Sequence, residues 1–273
     1  MYLPYWNLAS QPFEPITDRA AFFPSESQEG ALMKLRYAIE NERSAALLAG
    51  PAGTGKTTLV RLLEQQLDAR FSPFVRLVFP QMSSRDLLVY LAEELGAPAA
   101  DPPRHTVEES VRRLEYLLGR NAAADRHAVI VVDEAHLLED CGALETLRLL
   151  LNIERNAKPT CTLLLVGQMN LVSAIGRLPS LAERISVSTL VRSFVESETI
   201  DYVEHRLRTA GATQEIFTPD ALEALHYLGH GIPRQINRLA DLALLVGYAD
   251  RLSELTAEQI EAVSEELVTV AGT

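Results

Sequence analysis

AALLAGPAGTGKTTLVRLLEQQL, residues 45–67, joins a short apolar run to a glycine-rich turn and then to apolar residues at helical spacing. The run at 45–49 suits a strand buried on both faces, and the turn feeds a helix expected from about Lys56 to Ala69. Gly50-Pro51-Ala52-Gly53-Thr54-Gly55-Lys56-Thr57 keeps the spacing G-x-x-x-x-G-K-[ST] at the junction where that spacing has a mechanism. Gly50, Gly53 and Gly55 reach φ > 0 with no Cβ in the way, so successive main-chain N–H groups can curl inward as an anion nest. The helix N-terminus adds partial positive charge, Lys56 reaches β- and γ-phosphates, and the Thr57 hydroxyl suits magnesium. The expected cofactors are therefore ATP and Mg2+, held by residues 50–57 together with Thr58.

Further along, AVIVVDEAH at 128–136 is another buried apolar strand, and it ends in two adjacent acids. Parallel α/β sheets place ligands at the carboxyl ends of their strands. Asp133 is expected to hold magnesium through a water, and Glu134 to polarise the water that attacks the γ-phosphate. The tetrapeptide Asp133-Glu134-Ala135-His136 also spells a helicase signature. A helicase of that class needs a second core of similar size, which the remainder of this sequence does not supply.

The strand and helix signals alternate through much of the chain. After a helix from the capping box Ser25/Gln28 to about Asn41, strands are expected at 45–49, 74–79, 129–132, 163–166 and 185–190. Between them come helices at 85–95, 107–119 and 143–154, a Pro-rich break at 98–103 and a short helix at 171–175. Continuous Val/Ile/Leu strands alternating with amphipathic helices indicate an αβα domain with a parallel five-stranded sheet. Beyond Ser193 only helices are expected, at 196–210, 219–228 behind Thr218, 233–248, and 257–267 behind the capping box Thr256/Gln259. The expected organisation is an N-terminal arm at 1–24, a nucleotide-binding domain at 25–192 and an all-helical domain at 193–273. Pro4, Pro12, Pro15 and Pro24 bar a long helix from the arm, and its aromatics suggest that it lies against a surface.

Composition narrows the function. The 273 residues carry a formal charge of −12, which disfavours broad adhesion to nucleic acid or anionic membrane. Arg104, Arg112, Arg113, Arg120 and Arg126 form the one local concentration of positive charge. The sequence has neither a membrane-spanning run nor a signal peptide, so a cytoplasmic location is expected. Cys141 and Cys161 lack partners at metal-ligand spacing and read as reduced packing thiols.

With these motifs in hand, the sequence resembles AAA+ ATPases of the general secretion pathway protein A (ExeA-like) type, related to transposition helper ATPases. The resemblance runs through FFPS at 22–25, GPAGTGKTTLVR at 50–61, VVDEAHLL at 131–138, LLLVGQ at 163–168, LPSLAERI at 178–185 and GIPRQINRLADLALL at 231–245. It implies that Gln168 is sensor 1, orienting the lytic water. It implies that Arg184, with Arg177 as competitor, is an arginine finger for a neighbouring subunit, and that Arg234 is sensor 2 on a lid helix. Arg238 is the alternative to Arg234, or a structural pair for Asp241. Adenine is expected near Phe22, Phe23 and Ile232 or Pro233. The activity implied is hydrolysis of ATP to ADP and phosphate, coupled to lid and subunit rearrangement in a ring or filament that acts on a protein assembly of secretion or envelope type. The alternative is a DNA-associated switch or filament recruiting a transposase-like partner. Secretion-type members commonly continue into a membrane helix and a peptidoglycan-binding region, whereas this sequence stops at Thr273; the resemblance is therefore read for the ATPase first, since a fold does not transfer a process.

Overall fold

The strands predicted from continuous apolar runs come together in one sheet. In the computed structural model, which describes residues 1–15, 22–78, 80–98, 106–138 and 142–271, the elements run in a clear order. They are α1 (Glu26–Glu40), β1 (Ala45–Ala49), α2 (Lys56–Gln66), β2 (Phe74–Leu77), α3 (Ser84–Glu94), α4 (Val107–Ala123) and β3 (Ala128–Val132). After a 3-10 turn at Ala135–Leu138 follow α5 (Ala143–Leu150), β4 (Glu154–Arg155), β5 (Lys158–Pro159), β6 (Cys161–Gly167), α6 (Met169–Gly176), α7 (Pro179–Ala182) and β7 (Ile185–Leu190). The last four helices are α8 (Glu196–Thr209), α9 (Pro219–Leu228), α10 (Pro233–Asp250) and α11 (Ala257–Ala271). The expected strand end at Phe79, most of the break at 98–103, Arg104, Cys141 and Thr273 lie outside the described residues.

The chain divides into two compact units. One gathers Met1–Glu26, Ala52–Gly55 and Arg192–Thr273; the other comprises Ser27–Pro51 and Lys56–Val191. In the second unit a five-stranded parallel sheet has the order β2-β3-β6-β1-β7. Every residue of β1, β3 and β6 is buried, as expected for central strands covered on both faces. β7 is an edge strand, and its sequence ISVSTL alternates because one of its faces meets solvent. Because β6 lies between β1 and β3, the carboxyl ends of three strands stand side by side. They deliver the glycine-rich loop, Gln168 and the pair Asp133/Glu134 to one end of the sheet.

Two local departures from the expected pattern have backbone causes. The helix expected over 143–154 ends at Leu150, and a small hairpin of β4 and β5 follows. Its two-residue loop, Asn156-Ala157, has φ of 53° and 59°, the all-positive geometry that matches the twist of a tight hairpin. Thr218 stands ahead of α9 but its side chain does not cap it. Its Oγ1 donates to the Leu255 carbonyl at 3.0 Å, fixing the strand-like bridge between Phe217 and Leu255.

The helical unit is built around α8–α11 and the first residues of the chain. Trp6 is 1% exposed and its indole N–H donates to the Leu244 carbonyl at 2.9 Å. The ring lies against Gly247, where an added Cβ would come within 2.8 Å of it. Tyr2, Leu8 and Phe13 are buried with it. The arm thus supplies core to this unit, since a Trp and a Phe bury too much apolar surface to leave in water. Among the described residues no helix is long and apolar enough to cross a membrane.

Candidate nucleotide site

The glycine-rich loop leaves β1 at Gly50 and enters α2 at Lys56, with Gly53 and Gly55 at φ of 81° and 90°. These left-handed values explain why glycines recur there, since a Cβ at φ > 0 is strained. Lys56 is 6% exposed, and its ammonium donates to the carbonyls of Gly50 at 2.9 Å and Pro51 at 2.7 Å. Those bonds fold the side chain back over the loop that precedes it. Thr57 and Thr58 follow in the first turn of α2, each half-buried.

Asp133 follows the last residue of β3 and is 7% exposed. It accepts from Thr57 Oγ1 at 2.8 Å and from the Glu134 main-chain N–H at 2.9 Å, and no Lys, Arg or His lies within ion-pair distance of it among the described residues. A buried carboxylate is ordinarily paired with a cation or bound to a metal, because leaving water costs several kcal/mol otherwise. The Thr57 hydroxyl and the Asp133 carboxylate therefore present an oxygen donor set that fits a magnesium ion, which needs only one or two protein ligands when phosphate oxygens and waters complete its shell.

Glu134 has a side chain 45% exposed and φ of 52°. A glutamate in the left-handed region is uncommon, and such outliers gather at functional sites. Its Oε2 lies 3.4 Å from Nδ1 of His136, whose side chain is 9% exposed. Gln168, directly after β6, brings its side-chain nitrogen to 3.3 Å from His136 Nε2, and its main-chain N–H to 3.5 Å from Nδ1. Gly167 makes room for this ring: a Cβ there would stand 3.3 Å from His136 Nδ1 and 2.8 Å from Leu171.

A model of the AAA domain family matches residues 39–175, the stretch from the end of α1 through α6. The chain belongs to the AAA domain family. It is 36% identical over 253 residues to general secretion pathway protein A of Aeromonas hydrophila, a match covering 91% of this chain and 45% of that protein. The chain therefore spans less than half the length of the curated relative it matches. Among solved structures, Aeropyrum pernix ORC2 superposes with a TM-score of 0.70 at 16% identity, covering 94% of this chain and 71% of that one. Cdc6p of Pyrobaculum aerophilum gives 0.71 at 18% identity, covering 93% and 70%, and the Thermotoga maritima RuvB branch migration motor gives 0.62 at 17%, covering 94% and 74%. At these identities the likeness is one of fold: a P-loop ATPase sheet with a helical part.

The arginines of this AAA+ ATPase are placed as follows. Arg184 sits after α7; its guanidinium donates to Asn152 Oδ1 at 2.8 Å and to the Leu151 carbonyl at 3.4 Å, with Glu154 3.8 Å away. Arg177 caps α6 and is exposed. Within the helical unit, Arg234 is in the first turn of α10, and its main-chain N–H donates to the Gly53 carbonyl at 3.3 Å. A Cβ on Gly53 would meet Ile232 at 2.9 Å and Arg234 at 3.0 Å, a second reason for glycine in the loop. The carboxylate of Asp241 takes the Tyr2 hydroxyl at 2.5 Å. Burial, followed by that hydrogen bond, raises the pKa of Tyr2.

Phe23, one of the expected adenine walls, packs edge-on against Phe194 and Tyr202 in the helical core. Of the basic concentration, Arg112 is paired with Glu108 at 2.7 Å and Arg113 donates to the Pro98 carbonyl, so both are engaged locally. Burial pushes the Cys161 thiol up to about 12, which leaves it protonated and unreactive. His136 is the residue that sequence reasoning missed. Its signal was the fourth letter of the tetrapeptide beginning at Asp133, set aside with the helicase reading.

Proposed function

We propose that this AAA+ ATPase binds Mg-ATP in the loop Gly50–Thr57 and hydrolyses it to ADP and phosphate, with Glu134 as the group that orients and deprotonates the attacking water. The observation that carries the reading is Asp133: a buried carboxylate with no cationic partner among the described residues, joined to the Thr57 hydroxyl at the first turn of α2. In this reading the main-chain N–H groups of the loop from Ala52 to Thr58 would face the phosphates, and the Lys56 ammonium would exchange its bonds to the Gly50 and Pro51 carbonyls for β- and γ-phosphate oxygens. When bound, magnesium neutralises charge on those oxygens. Asp133 and Thr57 hold that ion, and Glu134, exposed enough to meet water, accepts the proton. Gln168 orients the water as sensor 1. Arg234, at the start of α10, contacts the nucleotide as sensor 2, and the helical domain from residue 193 acts as a lid.

Arg184 is the arginine finger in this reading, with Arg177 as the competitor, so an oligomeric ring or filament is the active form. Its bond to Asn152 has to be exchanged for a phosphate on the neighbouring subunit. The relative from Aeromonas hydrophila is named for general secretion, which supports a protein assembly as the client in this reading.

The test is phosphate release measured alongside nucleotide affinity. Lys56→Ala should lose both. Glu134→Gln should lower turnover by about a hundredfold or more while keeping the affinity for ATP. Wild-type turnover in Glu134→Gln sinks the assignment of the base, and unchanged affinity in Lys56→Ala sinks the site. A turnover number that does not rise with protein concentration sinks the finger.

A further inference from the structure

We infer that His136 is a positioning residue, which passes the state of the Gln168 amide to the carboxylate of Glu134. The inference rests on the reading of Glu134 as base and Gln168 as sensor, and it adds the group that couples them.

The ring has three polar neighbours and too few hydrogen-bonding roles to serve them all at once. A neutral imidazole carries one N–H donor and one acceptor nitrogen. Nδ1 faces Glu134 Oε2 at 3.4 Å, which needs a donor, and the Gln168 main-chain N–H at 3.5 Å, which needs an acceptor. Nε2 faces the Gln168 side-chain amide at 3.3 Å, whose oxygen and nitrogen can exchange places by rotation about the terminal bond.

Two arrangements satisfy the ring. In the first the proton is on Nδ1: it is donated to Glu134, and Nε2 accepts from the Gln168 NH2. In the second the proton is on Nε2: it is donated to the Gln168 side-chain oxygen, Nδ1 accepts the Gln168 main-chain N–H, and Glu134 is released. The ring loses one proton to water and gains one from water between the two, so its charge does not change.

The direction of the coupling follows. An anionic γ-phosphate oxygen attracts the Gln168 NH2, turning its oxygen toward His136 and selecting the second arrangement. Glu134 is then free to take the water. Without that phosphate the NH2 returns to Nε2 and the ring holds the carboxylate. The surroundings support a ring kept in one place. His136 is 9% exposed in the 3-10 turn after the acids, and Gly167 removes the Cβ that would crowd Nδ1. Glu134 itself has a φ of 52°, uncommon for a non-glycine residue, and its Oε2 lies 3.4 Å from the ring.

The experiment compares His136→Ala, His136→Asn and His136→Gln with the wild type and with Gln168→Ala. It reads kcat, KM for ATP, ADP affinity and thermal midpoint. Asn offers an N–H near the Nδ1 position and Gln one near the Nε2 position, so each keeps one half of the link. All three should lower kcat by about ten- to a hundredfold, the scale lost when a group that orients a functional residue is removed. KM and ADP affinity should stay within about twofold. His136→Ala combined with Gln168→Ala should lose no more than the worse single variant, because both break one chain of contacts.

Independent, multiplying losses overturn the inference, as does full kcat in either His136→Asn or His136→Gln. A parallel loss of nucleotide affinity or of thermal midpoint assigns His136 to packing alone and overturns it too. If Glu134→Gln is slow while His136→Ala turns over normally, this inference fails and the catalytic reading stands. If Glu134→Gln turns over normally, the catalytic reading fails first and this inference with it.

Discussion

Asp133 in the sheet unit and Arg206 in the helical unit are both buried charges, 7% and 4% exposed, and they stand in different settings. The Arg206 guanidinium donates to the Tyr202 hydroxyl at 3.0 Å and the Glu14 carbonyl at 2.5 Å, and it lies 5.7 Å from the centre of the Tyr202 ring. Tyr202 in turn donates to Asn237 at 2.7 Å. That network is closed by neutral groups of its own unit and ties the arm to α8. Asp133 likewise has two neutral partners and, among the described residues, no counter-charge; what separates the two is the setting, since Asp133 follows a strand end beside the Thr57 hydroxyl whereas Arg206 joins the arm to α8.

The widest separation between the two should appear in activity. On the proposed reading Asp133→Ala is expected to lower ATP turnover by about a hundredfold or more, because Asp133 would hold a metal able to supply several kcal/mol of transition-state stabilisation. Its thermal midpoint should fall by less than that of Arg206→Ala, since losing two hydrogen bonds is offset by no longer burying a carboxylate charge; an equal or larger fall would make Asp133 a structural residue and erase the contrast. Arg206→Ala should do the reverse. The buried Tyr202 hydroxyl and the part-buried Glu14 carbonyl lose their donor, at a cost of about 2 kcal/mol in urea unfolding, while turnover per folded molecule is kept.

A comparable effect, dependent on pH, belongs to His127 in the sheet unit. Burial is the main cause that lowers its pKa to about 4, against an ordinary value near 6.5. The Thr162 hydroxyl donates to the Arg43 carbonyl at 2.7 Å, so it accepts from His127 Nε2 at 2.8 Å, and the neutral ring makes this bond with its proton on Nε2. Between those two pKa values the unfolded chain binds a proton that the folded one refuses. His127 thus costs no stability above about pH 6.5. As pH falls from there to about 4, roughly 3 kcal/mol is lost. His127→Gln, which keeps an N–H for Thr162, should flatten the fall in urea midpoint between pH 7 and pH 4.5. An identical fall in the variant would locate the acid sensitivity elsewhere.

The smallest expected effect is a helix start in the helical unit. Gln259 Oε1 accepts the Thr256 main-chain N–H at 2.9 Å, one arm of a capping box ahead of α11. Gln259→Ala should cost about 1 kcal/mol in thermal unfolding with no change in turnover. A loss several times larger would mean that the side chain does more than cap.

Legibility in the sequence varied with how local the cause was. The loop at Gly50–Thr57 and the strand ending at Asp133 were readable because each motif carries its geometry within a few residues. A strand was expected at 185–190, and β7 has those bounds. The β4–β5 hairpin was missed because a two-residue turn at Asn156-Ala157 leaves little signal beside the longer helical pattern before it. Thr218 looked like a cap, but its hydroxyl found the Leu255 carbonyl, a partner 37 residues away. Trp6 was read as part of an arm against a surface; nothing near it in sequence marks Gly247 as the small residue that admits its ring.

The amino-acid sequence by itself determined the glycine-rich loop between β1 and α2, the acidic strand end, the alternation of strands and helices, and the change to helices alone after residue 193. These follow from turn stereochemistry, hydrophobic period and charge, which act over short stretches of chain. Only the tertiary structure decided that β6 lies between β1 and β3, which sets Gln168 against His136, and that the first residues of the chain complete the helical core. Those choices depend on which buried surfaces and hydrogen-bonding groups meet across distances of 30 to 240 residues, and no local pattern records them.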